Sequence, residues 1–113
     1  MNCLFCNIAN NKITANILYH DEQVIAFDDI NPQAPVHKII IPVKHIETFN
    51  DIVEQDQTML AHLMQVIAQL AKQLAIDQTG YRVVLNCNAH GGQSVFHIHW
   101  HLLGGRRLHW PPG

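Results

Sequence analysis

The longest run of regular hydrophobic spacing lies near the middle of the chain. Between about Asp51 and Ala75, the residues Met59, Leu60, Leu63, Met64, Ile67, Leu70, Ala71 and Leu74 recur at intervals of three and four, with Gln, Lys and Asp elsewhere. That spacing predicts one long amphipathic helix, with Thr79-Gly80 closing the segment. A short helix is predicted around Phe5 to Asn10. The remaining apolar runs are brief and rich in β-branched or aromatic residues, which predicts strands at Ile17 to His20, Val24 to Phe27, Lys38 to Ile41, Tyr81 to Leu85 and Val95 to Leu103. Asp21-Glu22, Asn31-Pro32 and Gly91-Gly92 punctuate them. Successive strands without helical crossovers point to an antiparallel sheet of about five strands with helices on one side, an α+β fold. With no repeat, low-complexity tract or linker, residues 1–113 read as a single domain.

The last of these strands carries the candidate chemistry. Side chains alternate faces along a strand, so His97, His99 and His101 should share one face while Ile98, Trp100 and Leu102 share the other. A lone histidine is usually just a hydrogen-bonded or exposed residue, but three in strict alternation serve no packing purpose. One metal ion held by all three fits poorly: His97 and His101 would lie about 13 Å apart at Cα, against a Zn–N bond of about 2.1 Å. The three histidines are expected to divide their work.

Composition sharpens this picture. The chain is 48% hydrophobic and 14% charged, which excludes the signature of disorder. Seven Lys plus Arg against nine Asp plus Glu leave a formal charge of -2, with no basic footprint for a DNA or RNA polymer. Nine histidines outnumber all the lysines and arginines. No apolar run approaches a membrane span, and Asn2, Asn7, Asn10 and Asn11 interrupt anything resembling a signal peptide, so a cytoplasmic protein without a membrane partner is expected. Three cysteines are too few for a disulfide framework. Cys3-Leu4-Phe5-Cys6 is then either half of a structural zinc site or a pair of buried thiols beside a short helix.

The segment His97-Ile98-His99-Trp100-His101-Leu102-Leu103 resembles the His-x-His-x-His motif of the histidine triad (HIT) family. Gly91-Gly92-Gln93-Ser94-Val95 before it and Gly104 to Gly113 after it are similar to the Hint branch in particular. Phe27 to His37 and Ile41-Pro42-Val43-Lys44-His45 fit the same family in order and spacing, so the resemblance covers essentially the whole chain.

The resemblance implies a HIT-like fold and a purine nucleotide substrate. It further implies hydrolysis of a nucleoside 5'-phosphoramidate or acyl-adenylate by attack of His99 on the α-phosphorus, with no catalytic metal. A histidine is largely neutral at pH 7 and is available as a nucleophile without a strong base. His101 and Ser94 would serve the phosphate and leaving group, and His37 would support and orient the nucleophile. The nucleotide-binding residues so implied are Asp29 at the ribose, Phe5, Ile13, Phe27 and Ile30 around the base, Asn86 near the sugar-phosphate, and Gly92, Ser94, His99 and His101 at the phosphate. Without the resemblance, Phe27 and Ile30 are ordinary core residues, Asp28-Asp29 a solvated turn, and Ser94 a turn residue.

Relatives that carry the cysteine pair imply a structural Zn2+ held by Cys3, Cys6, His45 and His97. The resemblance also implies a two-fold homodimer with Trp110 near the partner site, although packing within one chain explains the helix periodicity equally well. Related nucleotidyltransferases have Gln at the position of His101, which favours hydrolysis over transfer. A dinucleoside polyphosphate hydrolase and a nucleotide-binding interaction module with weak catalysis are the competing readings.

Overall fold

The computed structural model describes residues 3–113; Met1 and Asn2, which belong to the single-domain reading and the signal-peptide argument, lie outside it. The elements are α1 (Leu4–Ala9), β1 (Ile17–His20), β2 (Val24–Asp28), β3 (Val36–Pro42), two 3-10 turns (Phe49–Asp51 and Glu54–Asp56), α2 (Gln57–Gln73), β4 (Tyr81–Leu85), the one-turn α3 (Asn88–Gly91) and β5 (Trp100–Gly104). The five strands form one sheet in the order β1-β2-β3-β5-β4, and every neighbouring pair is antiparallel.

Period-two patterning decides which face each residue serves. Val24, Ala26, Ile40, Trp100 and Leu102 join Leu63, Val66, Ile67 and Leu70 of α2 in one core. Ile25, Phe27, Ile39 and Ile41 point the other way and pack against Cys3, Phe5, Ile8 and Ala9. The central strands are buried on both faces, which explains their continuous apolar runs. The expected placement of both helices on one side is therefore corrected: α2 covers one face and α1 the other, because Phe5 and Ile8 complete a second core.

Two other expectations change. The helix begins at Gln57, not near Asp51, because Thr48 and Asp51 close a capping box over the first 3-10 turn and Asp56 accepts the Val53 N–H over the second. The strand expected over Val95 to Leu103 pairs only from Trp100 onward. His97 and His99 lie in the irregular segment that feeds it, where strand alternation no longer governs the direction of a side chain.

Candidate functional site

Pairing of β3 with β5 builds the first part of the site. His37 stands opposite Leu103 and Ile39 opposite His101, so His37 and His101 are diagonal neighbours on the α1 face. Their rings lie 5.1 Å apart, with His37 Nε2 and His101 Nδ1 at 2.9 Å. The His99 ring follows at 5.1 Å from that of His101. His99 and His101 line a cavity of about 440 Å³ whose walls include Phe5, Ile13, Phe27, Asp29, Ile30 and Ser94. A wider groove of about 790 Å³ beside β4 contains no histidine.

Hydrogen bonds set the tautomers. The Gln33 N–H donates to His37 Nδ1 at 2.9 Å, so the neutral ring carries its proton on Nε2. That N–H points at His101 Nδ1 and, at 3.2 Å, at the Asp29 carboxylate. His101 Nδ1 is then an acceptor, and its Nε2–H remains as a donor. His99 Nδ1–H donates to the His97 carbonyl at 2.8 Å, which leaves the His99 Nε2 lone pair unprotonated. Burial pushes His37 and His99 below the ordinary imidazole range, against the opposing pull of Asp29. Burial, reinforced by His99 and His37, brings His101 down to about 4. All three are neutral at pH 7: His99 offers an unprotonated nitrogen beside a His101 ring that offers an N–H.

The second cluster lies behind the first. Cys3 Sγ is 3.4 Å from His97 Nδ1, Cys6 Sγ is 3.3 Å from His45 Nδ1 and 3.5 Å from His97 Nδ1, and the two Nδ1 atoms are 3.2 Å apart. A tetrahedral zinc centre requires S···N edges of about 3.6 Å and N···N edges of about 3.4 Å. The donor set therefore fits Zn2+ in identity and spacing. Its surroundings fit as well. His97 donates Nε2–H to the Pro42 carbonyl at 2.8 Å, which frees Nδ1 for a metal, and the Cys6 N–H donates to Cys3 Sγ at 3.3 Å. Asp29, His37 and His101 also converge, but there the Gln33 N–H places a proton on the nitrogen a metal would need, so that group is a hydrogen-bond relay.

One side chain joins the clusters. The Phe5 ring packs edge-on against both His99 at 5.0 Å and His97 at 6.0 Å. Phe5 sits on α1 between Cys3 and Cys6, so the helix that supplies the sulfurs also forms a wall of the cavity.

Most residues singled out in the sequence converge, with exceptions. Asn86, half-buried at the end of β4, and Gly92, exposed at φ +81°, do not line the cavity. His37 bears on His101 and Asp29, whereas the backbone carbonyl of His97 orients His99. Asp29 lines the cavity, yet its carboxylate faces His37 and caps the Asn31 N–H at 2.8 Å. Leu4 and Ile8 were missed as cavity residues, although the i, i+4 spacing of a short helix carrying Phe5 could have placed them. The Gln33 N–H and the Pro42 and His97 carbonyls, which select the tautomers, are backbone groups with no signature in side-chain identity.

Comparison with known proteins identifies the family. Residues 2–108 match the family described as scavenger mRNA decapping enzyme C-term binding. The chain is 47% identical over 105 residues to the purine nucleoside phosphoramidase of Escherichia coli K12, covering 93% of this chain and 88% of that protein. It is 46% identical over 107 residues to a HIT-like protein of Buchnera aphidicola, covering 95% and 94%. The crystal structure of a HIT family hydrolase from Legionella pneumophila superposes with a TM-score of 0.98 at 50% identity, covering 99% of this chain and all of that one. Motif, fold and sequence agree over nearly the whole length, and the chain belongs to the histidine triad family.

Proposed function

We propose that the protein is a nucleotide hydrolase that cleaves the P–N bond of purine nucleoside 5'-phosphoramidates, with acyl-adenylates as further substrates. The observation that carries this reading is the His99 tautomer: Nδ1–H is committed to the His97 carbonyl, and the ring with its free Nε2 lines the cavity. His99 Nε2 attacks the α-phosphorus and forms a nucleotidyl-histidine. The P–N bond breaks and the amine leaves with a proton supplied from the Ser94 and His101 side. Water then attacks the same phosphorus and its proton restores the donor used in the first step, releasing nucleoside monophosphate and neutral His99. His101 Nε2–H is suited to a phosphate oxygen, where a fixed donor stabilises developing charge.

The apolar walls Phe5, Ile13, Phe27 and Ile30 supply a purine slot, and Asp29 retains lone pairs for ribose hydroxyls. Cys3, Cys6, His45 and His97 would hold a structural Zn2+, which supplies a cross-link between α1 and the loop before β5 rather than chemistry at phosphorus. The protein acts in this reading as a cytoplasmic homodimer. Its free β4 edge, with Tyr81 and Val83 exposed, supports pairing with a second copy, and the exposed Trp110 is available to reach the partner site. The name of the Escherichia coli relative supports the phosphoramidate substrate.

A fluorogenic adenosine phosphoramidate tests the reading. Turnover by the wild type and none by His99→Ala is the expected result. AMP binding without turnover by the wild type would favour an interaction module, and cleavage confined to dinucleoside polyphosphates would favour that other hydrolase class.

A further inference from the structure

Gln93 is 8% exposed and uses its whole carboxamide. Its Oε1 accepts the Asn88 N–H at 2.9 Å, and its Nε2 donates to the Glu47 carbonyl at 2.7 Å and the Val95 carbonyl at 3.1 Å. Its backbone N–H returns to the Asn88 carbonyl at 3.1 Å, closing a ring with that residue. Three segments therefore meet on one side chain: the α3 turn, the loop that carries His45, and the stretch that carries Ser94. The same two loops are tied again by the Ile98 N–H to the Ile46 carbonyl at 2.6 Å. Asn88 and Gly92, which bracket the turn, both have positive φ, at 59° and 81°. Glycine takes such a φ at no steric cost, whereas Asn88 carries a Cβ there and is held by its two backbone hydrogen bonds to Gln93.

We propose that Gln93 is a positioning residue for the reaction, holding Ser94 in register with His99 from behind the cavity. The role rests on the hydrolase reading above. Chemistry explains the choice of residue. A carboxamide of this length offers one acceptor and two donors, matching one N–H and two carbonyls. A carboxylate would turn acceptors toward both carbonyls, and Asn is one methylene too short to reach all three groups. Gln93 touches no reacting atom: its effect passes through the next residue, Ser94, at the rim of the cavity.

The test compares Gln93→Glu, Gln93→Met and the milder Gln93→Asn with wild type, which keeps it informative if one variant does not fold. Expected for the folded variants is a fall in kcat of tenfold or more, with KM for the phosphoramidate and Kd for AMP changed less than about twofold. The deficit should shrink for a weakly basic aryl amine leaving group, which needs less help with its proton. Hydrogen exchange at the Asn88 amide should accelerate in the same variants. Turnover per folded molecule equal to wild type, or a parallel loss of kcat, AMP affinity and thermal stability with every leaving group, would overturn the role. Absence of turnover by the wild type would overturn the hydrolase reading, and this role with it.

Discussion

The two histidine clusters share a short stretch of chain yet are built for opposite tasks. At the Cys3, Cys6, His45 and His97 cluster, the Pro42 carbonyl takes the far proton of His97 and turns an unprotonated nitrogen inward among two sulfurs. At the Asp29, His37 and His101 cluster, the Gln33 N–H caps the far nitrogen of His37 and turns a proton inward. A carbonyl behind the ring leaves a lone pair facing inward, as at His97 and His99; an N–H behind the ring leaves a donor. The residue type is the same, and the backbone partner decides its chemistry.

The largest expected effect strikes the catalytic side. His99→Ala should lower phosphoramidate turnover by about 10^4-fold or more, while AMP binding measured by calorimetry survives. Retention of turnover would place the nucleophile elsewhere.

Next in size is the effect of removing a cysteine from the proposed zinc site. Protein purified without chelator should contain about one zinc per chain. Cys3→Ala or Cys6→Ala should remove it and lower stability by about 3 kcal/mol, or Tm by about 10 °C or more. Turnover per molecule that remains folded should fall far less. A deficit as deep as that of His99→Ala would show that the Phe5 contact transmits the state of the metal centre to the nucleophile, and the clusters would no longer be separable.

The relay predicts a smaller deficit. His37→Ala frees His101 Nδ1 to take the proton, so kcat should fall about 10- to 100-fold. In the wild type, His99 must be neutral to attack, and burial holds its pKa below the ordinary value of 6.5. Activity should therefore be level through neutral pH and decline only on the acid side of 6.5; a decline centred above 7 would contradict this environment. Stability follows the same sign. His37, His99 and His101 have folded pKa values below their unfolded ones, with His101 at about 4. Acid favours the unfolded chain as pH falls from about 6.5 toward about 4, which denaturant midpoints across that range would reveal.

The smallest effect lies away from both clusters. Asp21 joins the β1–β2 turn to α2, accepting from Tyr19 Oη and His62 Nε2 at 2.5 Å each and from the Gln23 and Val24 N–H groups. Burial works against its charge, but these donors outweigh it and hold the carboxyl well below the usual carboxylate range. Its contribution is complete above about pH 4 and is lost as pH falls further. Asp21→Ala should cost about 1–2 kcal/mol and leave kcat unchanged, providing a stability control for every variant above.

Much of this was legible in the residues. Short runs of β-branched and aromatic residues identified the five strands, and the three- and four-residue spacing identified the long helix, because burial of one helix face imposes that period on any sequence. The alternating histidines and the Cys-x-x-Cys pair pointed to most of the side chains that converge in the two clusters. The strand reading failed at His97 and His99 for a physical reason: an apolar run with alternating polar residues fits a strand, but pairing begins only at Trp100, where β3 and β4 supply partners. Gln93 was passed over because a glutamine beside a Gly-Gly turn is ordinary until its three partners, drawn from separate segments, are seen together.

The sequence by itself determined which side chains could act and where the long helix turns its apolar face, since these follow from residue type and local periodicity. Only the tertiary structure decided which histidine joins the two cysteines, which lines the cavity and which nitrogen carries each proton. Those choices depend on backbone groups at Gln33, Pro42 and His97, brought to the rings by long-range pairing and loop closure, and a backbone N–H or carbonyl is the same in every residue that carries it.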